Sequence, residues 1–285
     1  MTDMSSLPTI KATIDAFGLS TRKALGQHFL LDANIIRRIV AYAGDVSGKT
    51  VIEVGPGPGG LTRALLESSA ARVVVIEKDE RCLPVMQQLK CLAGDRLGII
   101  SADALAVDLT QYPAPRAVVA NLPYNVGTEL LIGWLHQIAE SPESYHSLTL
   151  MFQKEVAQRV CAGPGTKDYG RISVLAQWLC EVRYDMELPP GAFSPPPSVS
   201  SAVITLVPRK HPCFVAQRRS VELVLQAAFG QRRKMLRGAL KALCADAEAL
   251  LIDAGIDPTA RAEQLSVMQF GQLITAWEKR ITARQ

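Results

Sequence analysis

From Thr50 onward the chain alternates short, β-branched apolar runs with stretches of helical period, and this repetition restricts the fold more than any other feature. Apolar runs at 50–54, 72–76, 97–100, 117–120 and 147–152 read as buried strands. The segments 61–68, 79–89, 128–138 and 154–160 between them read as helices, the second despite Pro84. Residues 173–180 fit a further helix, and 181–188 and 201–207 complete seven strands. Parallel neighbours need a crossover, and a helix is the usual one. The expectation is an α/β fold with a doubly wound, mostly parallel seven-stranded sheet and ligands at the C-terminal strand ends.

The flanks differ. Residues 7–17 and 34–42 carry helical periodicity before the first strand. After Pro208 the pattern is helical only, at 221–229, 232–243, 247–254 and 267–279. A boundary near 208 is expected, with residues 1–208 as the sheet domain and 209–285 as a small all-helical one.

A hydrophobic fraction of 48% and a charged fraction of 20% match a globular chain of 285 residues with a real core. No run approaches the roughly 18 apolar residues of a membrane span, and the first residues lack a basic-then-apolar leader. Cytoplasm is the expected compartment and a monomer the expected state. Cys82, Cys91, Cys161, Cys180, Cys213 and Cys244 form no C-x-x-C pair, and the four histidines are scattered, so no metal site is expected. The net charge of +4 is unevenly spread. Residues 209–241 hold nine Lys or Arg against Glu222 alone, which leaves the remainder of the chain net acidic. Such asymmetry suits a polyanionic partner or a solvated helix face. Arg22, Lys23 and Lys154 extend the candidate surface.

The first strand runs through Glu53 into Gly55-Pro56-Gly57-Pro58-Gly59-Gly60 and then a helix. Glycines allow tight turns and close approach to a nucleotide. Glu77, at the tip of the next strand, suits a ribose diol. The glycine spacing is not G-x-G-x-x-G, and Glu53 puts an acid beside the turn, which disfavours a pyrophosphate and favours a cationic ligand. S-adenosylmethionine carries both an ammonium and a sulfonium. Asp103, after the third strand, is placed to accept that cofactor's adenine amine. Glu53 itself suits either a structural cap or ligand contact.

The fourth strand delivers Asn121-Leu122-Pro123-Tyr124. An exocyclic adenine amine is a poor nucleophile because its lone pair is delocalised into the ring. The Asn121 side-chain oxygen and the Leu122 carbonyl can each accept one N–H and turn the lone pair outward. Leu122 precedes a proline and is biased to an extended conformation. Tyr124 can stack on a base. The four residues alone fit an ordinary polar turn equally well.

Taken together, Leu25-Gly26-Gln27-His28-Phe29-Leu30, Glu53-Val54-Gly55-Pro56-Gly57, Val75-Ile76-Glu77, Asp103-Ala104, Asn121-Leu122-Pro123-Tyr124-Asn125 and Phe193-Ser194-Pro195-Pro196-Pro197-Ser198-Val199 resemble the rRNA adenine N6,N6-dimethyltransferase family, in its bacterial small-subunit branch. The resemblance runs from about residue 20 to the C-terminus, with the motifs in order. It implies a Rossmann-like methyltransferase sheet and S-adenosylmethionine-dependent dimethylation of two adjacent adenosines near the 3′ end of 16S rRNA, within the 30S subunit or its precursor. It carries cofactor contact onto His28, Leu30, Gly55, Glu77, Asp103 and Asn121, and the target-base pocket onto Asn121, Leu122, Tyr124 and Phe193. Many members have Asn where this chain has His28.

Two other readings share parts of this pattern. One is a large-subunit adenine methyltransferase of the antibiotic-resistance type, which has Asn-Leu-Pro-Tyr-type motifs but fits the His28 and Phe193 segments less well. The other is an RNA-binding assembly factor on a methyltransferase scaffold, for which the cofactor motifs are unexpectedly intact. A nicotinamide-dependent dehydrogenase is disfavoured by the glycine spacing.

Overall fold

The computed structural model describes residues 4, 6–19 and 28–283. Leu25, Gly26 and Gln27 of the first motif, and the candidate surface cations Arg22 and Lys23, lie outside the described residues. Seven strands form one sheet: β1 (Thr50–Val54), β2 (Arg72–Glu77), β3 (Leu97–Ser101), β4 (Arg116–Asn121), β5 (Tyr145–Gln153), β6 (Cys180–Leu188) and β7 (Ser201–Pro208). Their spatial order is β3-β2-β1-β4-β5-β7-β6. The five strands from β3 to β5 pair in parallel. β7 enters antiparallel to β5, with Thr149 opposite Thr205.

The central strands are apolar along most of their length because helices cover both faces. Val51 and Ile52 of β1, Val73 and Val75 of β2, and Ala117 to Val119 of β4 have no measurable exposure. Each buried Val or Ile contributes roughly 1.5–3 kcal/mol. Helix α1 (Ile10–Ala16) precedes the sheet, and α5 (Gly127–Glu140) and α6 (Lys154–Cys161) follow β4 and β5. One layer of helices comprises α2 (Ala33–Tyr42), α3 (Gly60–Glu67) and α4 (Leu83–Ala93), whose buried stripes include Ile36 and Ile39, Leu65 and Leu66, and Val85, Met86 and Leu89. Asp32 caps α2 by accepting the amides of Asn34 (2.7 Å) and Ile35 (3.2 Å). Pro84 is tolerated because it lies in the first turn of α4, where its missing N–H has no helical partner. The residues expected to start that helix form a separate 3₁₀ turn, Glu80–Cys82.

The chain runs from β1 outward to β3 and then returns to β4, on the other side of β1. Strand order therefore reverses between β1 and β4, and the crevice of a doubly wound sheet opens there. The Cβ position of Gly55, after β1, lies 3.9 Å from the Pro123 ring, after β4. A separate two-residue ladder pairs Phe29 with Ser194 and Leu30 with Phe193. No local pattern announces it, since each side is only two residues long.

By packing, the chain forms two units. One takes in the chain as far as Trp134 together with Glu143–Ala157 and Arg183–Pro208; the other takes in Leu135–Pro142, Gln158–Val182 and the chain from Arg209. The passage from Pro208 to Arg209 is one of several crossings. In the second unit, α7 (Arg171–Leu179), α8 (Arg218–Gly230), α10 (Ala247–Asp253) and α11 (Val267–Thr282) bury Val174, Val221, Val224, Leu250, Phe270 and Leu273. The helix expected over 232–243 begins later. Residues 231–235 form a turn, followed by α9 (Leu236–Ala239) and a 3₁₀ turn. Within that turn the Lys234 amide donates to the Gln231 carbonyl (2.8 Å), and the Arg232 guanidinium donates to the carbonyls of Lys167 and Tyr169 (2.6 Å for the latter). Among the described residues no helix is long and apolar enough to cross a membrane.

Candidate active site

A cavity opens at the β1/β4 reversal. Its walls include the His28–Leu30 segment, the glycine turn after β1, the tips of β2 and β3, and the Asn121–Tyr124 turn after β4, with Ile36 and Ile39 of α2 and Met151 of β5 behind them. His28, Leu30, Gly55, Glu77, Asp103, Asn121, Leu122 and Tyr124 all line it. The ring of Phe193 does not. It is 4% exposed and packs in the core, and its backbone pairs with Leu30, which does line the cavity.

Two glycines shape the turn. Gly57 has φ +52°, and a Cβ there would sit 3.0 Å from the Phe29 ring that walls the cavity. Gly59 has φ +82°, and a Cβ would meet Leu89 Cδ1 at 2.9 Å. Both positions exclude a side chain. The turn is then tied to β2. Glu77 Oε2 accepts the Gly57 amide (3.1 Å) and Oε1 accepts the Asp79 amide (2.8 Å). A carboxylate has about four acceptor sites, so the clamp leaves roughly two for ligand hydroxyls. Burial pushes the Glu77 carboxyl up, against the pull of those two amides.

Glu53, at 1% exposure, also lines the cavity. Its Oε2 accepts the Thr62 hydroxyl at 2.6 Å. Burial pushes its carboxyl up to about 8; the Thr62 bond opposes this and the nearby Glu77 charge adds to it. Asp103 is more exposed. Its Oδ1 accepts the Leu105 amide (3.0 Å) and its Oδ2 pairs with Lys78 Nζ (2.7 Å), which holds its carboxyl below the usual range. That pair is solvent-facing and hence weak.

On the opposite wall, Asn121 Nδ2 donates to the His28 carbonyl at 3.0 Å. This fixes the orientation of the amide and reserves its oxygen as an acceptor. The amides of Val126 and Gly127 both donate to the Pro123 carbonyl (3.2 and 3.0 Å), so the turn closes without engaging the Leu122 carbonyl. Tyr124 OH hydrogen-bonds Ser201 Oγ (2.7 Å), and burial raises the phenol's pKa. The Tyr124 ring stacks with His28 at 5.5 Å between centroids, and the His28 Nδ1 contacts the Pro195 carbonyl at 2.9 Å. Thus His28 touches both the Asn-Leu-Pro-Tyr turn and the Phe-Ser-Pro-Pro-Pro segment. Sequence reasoning missed Lys78, Phe29 and Ser201. Lys78 follows Glu77 at a strand tip and could have been found; Ser201 carries no such signal.

The cations of 209–241 divide into two groups. Arg209 pairs with Glu181 (3.2 Å), Arg218 with Glu222 (3.0 Å), and Arg232 binds the two carbonyls described above. Lys210, Arg219, Arg233, Lys234, Arg237 and Lys241 are exposed. Lys154 pairs with Glu187 at 2.8 Å.

Known proteins resemble this chain in sequence and fold. The model for the family "Ribosomal RNA adenine dimethylase" matches residues 18–279. A "Ribosomal RNA small subunit methyltransferase A" from Jannaschia sp. (strain CCS1) is 52% identical over 283 residues, covering 99% of this chain and 98% of the relative. Its namesake from Gluconobacter oxydans (strain 621H) is 51% identical, covering 94% and 87%. The crystal structure of a dimethyladenosine transferase from Plasmodium falciparum has the same fold, with TM-score 0.73, 22% identity, and 89% of this chain and 98% of that one covered. The 23S rRNA methyltransferase ErmE superposes with TM-score 0.66 at 26% identity, covering 88% and 99%. With the family model matching residues 18–279 and relatives about half identical over nearly the full chain, the chain belongs to the ribosomal RNA adenine dimethylase family.

Proposed function

We propose that this protein uses S-adenosylmethionine to dimethylate N6 of two adjacent adenosines near the 3′ end of 16S rRNA, on the small subunit or its precursor, late in ribosome biogenesis in the cytoplasm. The observation that carries this reading is that Asn121, Leu122 and Tyr124 line the same cavity as Glu77 and Asp103. An amine-orienting turn and a nucleoside-binding set thus share one space. The small-subunit relatives, at about half identity over nearly the full chain, favour 16S over 23S rRNA.

The cavity's donors and acceptors fit the cofactor. Glu77 holds the ribose diol through its remaining acceptor sites. Asp103 accepts the adenine amine in exchange for Lys78, and His28, Leu30 and Gly55 complete the walls. The buried acid at Glu53 suits a cation. When bound, S-adenosylmethionine supplies an electrophilic methyl group.

The chain's own residues do the rest by positioning. Asn121 Oδ1 and the Leu122 carbonyl accept the two N–H groups of the target amine and hold its lone pair outward. Tyr124 stacks on the base, and the ring favours the positive charge that develops on it. A methylated amine is strongly acidic and yields its proton to water, so no dedicated base is required. After one transfer a single N–H remains, and one of the two acceptors suffices to orient it. The Phe193 ring becomes the second wall for an extruded base once the segment that buries it yields to RNA. The exposed cations from Lys210 to Lys241 grip RNA phosphates.

Methylation assays with purified 30S particles against naked 23S RNA test the assignment. Labelling of 30S particles at adenine N6, and loss of dimethyladenosine from 16S rRNA in cells lacking the protein, are expected. Methylation of 23S RNA alone would overturn it.

A further inference from the structure

Glu53 is the buried titratable group in the cavity that the reaction does not use. The sequence leaves it as either a structural cap or a ligand contact. Among the described residues no backbone amide of α3 donates to it. Helix α3 starts at Gly60 after Gly59, with no side-chain cap, and Glu53 accepts the Thr62 hydroxyl from inside that helix. Thr62 is itself fully buried and also reaches Met86 Sδ at 3.9 Å, so α3 and α4 bring apolar or neutral groups to this side of Glu53.

No salt bridge to Glu53 occurs among the described residues, and the charges around it do not neutralise it. Glu77, from the tip of β2, is of like sign. Asp79 is paired with Arg81 (2.5 Å), and Lys78 with Asp103. Cys82, at the entry to α4, is held neutral, with burial pushing its thiol up to about 12. His28 lies on the wall formed by the N-terminal segment. A buried carboxylate without a cation is costly and takes up a proton instead.

We propose that Glu53 senses the charge of the cofactor, holding a proton in the cofactor-free protein and giving it up when the sulfonium enters, so that the cavity separates donor from spent product. This rests on the S-adenosylmethionine reading of the cavity. The exchange balances: one proton leaves to solvent as one positive charge arrives. After methyl transfer the sulfur is a neutral thioether. The carboxylate then lacks its counter-charge and takes one proton from solvent, while the methylated amine loses one of its own. A carboxyl raised to about 8 holds its proton at neutral pH, as the exchange requires.

Titration calorimetry of S-adenosylmethionine and S-adenosylhomocysteine, in buffers of different ionisation heat, measures the protons exchanged. In the wild-type protein near pH 7, about one proton is released per S-adenosylmethionine bound and close to none per S-adenosylhomocysteine. Affinity for the charged ligand rises roughly tenfold per pH unit up to about pH 8 and then levels, while that for the neutral one stays flat. Glu53→Gln abolishes the proton release and narrows the preference between the two ligands, with its fold checked by circular dichroism. Equal proton counts for both ligands in the wild type would overturn the proposal, and so would undiminished release in Glu53→Gln. Binding without proton exchange would sink the role of Glu53 alone; failure of the wild type to bind either ligand would sink the cofactor reading with it.

Discussion

The Asn121 amide nitrogen donates to the His28 carbonyl at 3.0 Å, across 93 residues of sequence. That bond decides which end of the carboxamide is left to meet a target amine. Asn121→Ala removes an acceptor that acts chiefly as the reaction proceeds, so turnover falls by about 10²–10³. Cofactor affinity weakens far less, because Glu77 and Asp103 remain. Single-turnover methylation of 30S particles and calorimetric cofactor binding, measured on the same preparation, separate the two effects. Unchanged turnover would remove Asn121 from the reaction.

Tyr124 combines a ring with a hydroxyl bound to Ser201 at 2.7 Å. Tyr124→Phe keeps the stacking face and forfeits a hydrogen bond worth about 0.5–1.5 kcal/mol. Tyr124→Ala loses base stacking worth about 1–3 kcal/mol. RNA affinity and turnover are expected to fall much further for alanine than for phenylalanine. Equal losses would mean that the hydroxyl, rather than the ring, is what matters.

Phe193 is buried beside Leu30 and outside the cavity wall. Phe193→Ala costs about 3–5 kcal/mol of stability and so cannot isolate a role in base binding. Phe193→Leu keeps much of the volume. If the ring does become the second wall, this variant melts within a few degrees of wild type yet loses affinity for its RNA substrate. Wild-type RNA affinity with a lowered melting temperature would leave Phe193 as core alone.

Glu53 also makes stability depend on pH. Its carboxyl is raised from 4.5 to about 8 in the folded chain, so between those values the folded state binds more protons than the unfolded one. Its contribution is complete below the lower value and is lost as pH climbs through the upper one. The cofactor-free protein should therefore melt at lower temperature as pH is raised from about 6 to about 9. Glu53→Gln should flatten that dependence, as differential scanning calorimetry on both proteins would reveal. Parallel curves would place the titration elsewhere.

The basic segment contains cations with different duties. Arg232, Arg233 and Lys234 are all exposed, and the Arg232 guanidinium also holds the carbonyls of Lys167 and Tyr169. Alanine at Arg233 or Lys234 should weaken RNA binding and lower the salt slope by about one each, with melting unchanged. Alanine at Arg232 should also lower the melting temperature, since it unfastens the loop before α7. Filter binding across a salt series, paired with thermal melts, distinguishes the two groups.

The sequence by itself determined what local periodicity and short motifs can encode. The strands that carry Glu53, Glu77 and Asn121 are legible because a strand buried on both faces is a nearly continuous apolar run, here with the polar side chains at or near its ends. The glycine turn is legible because Gly57 and Gly59 have no room for a side chain. The tertiary structure decided everything that depends on two distant segments meeting. It set His28 against Tyr124 and Asn121, paired Leu30 with Phe193 so that the aromatic ring faces the core, and gave Asp103 an ammonium partner in Lys78. It also tied the Arg232 guanidinium to the carbonyls of Lys167 and Tyr169, in the turn that precedes α9. Such contacts leave no period in the sequence, because each is fixed by long-range packing. Glu53 shows the division most clearly. The sequence puts an acid beside a glycine turn, and only burial without a cation makes that acid hold a proton near neutral pH.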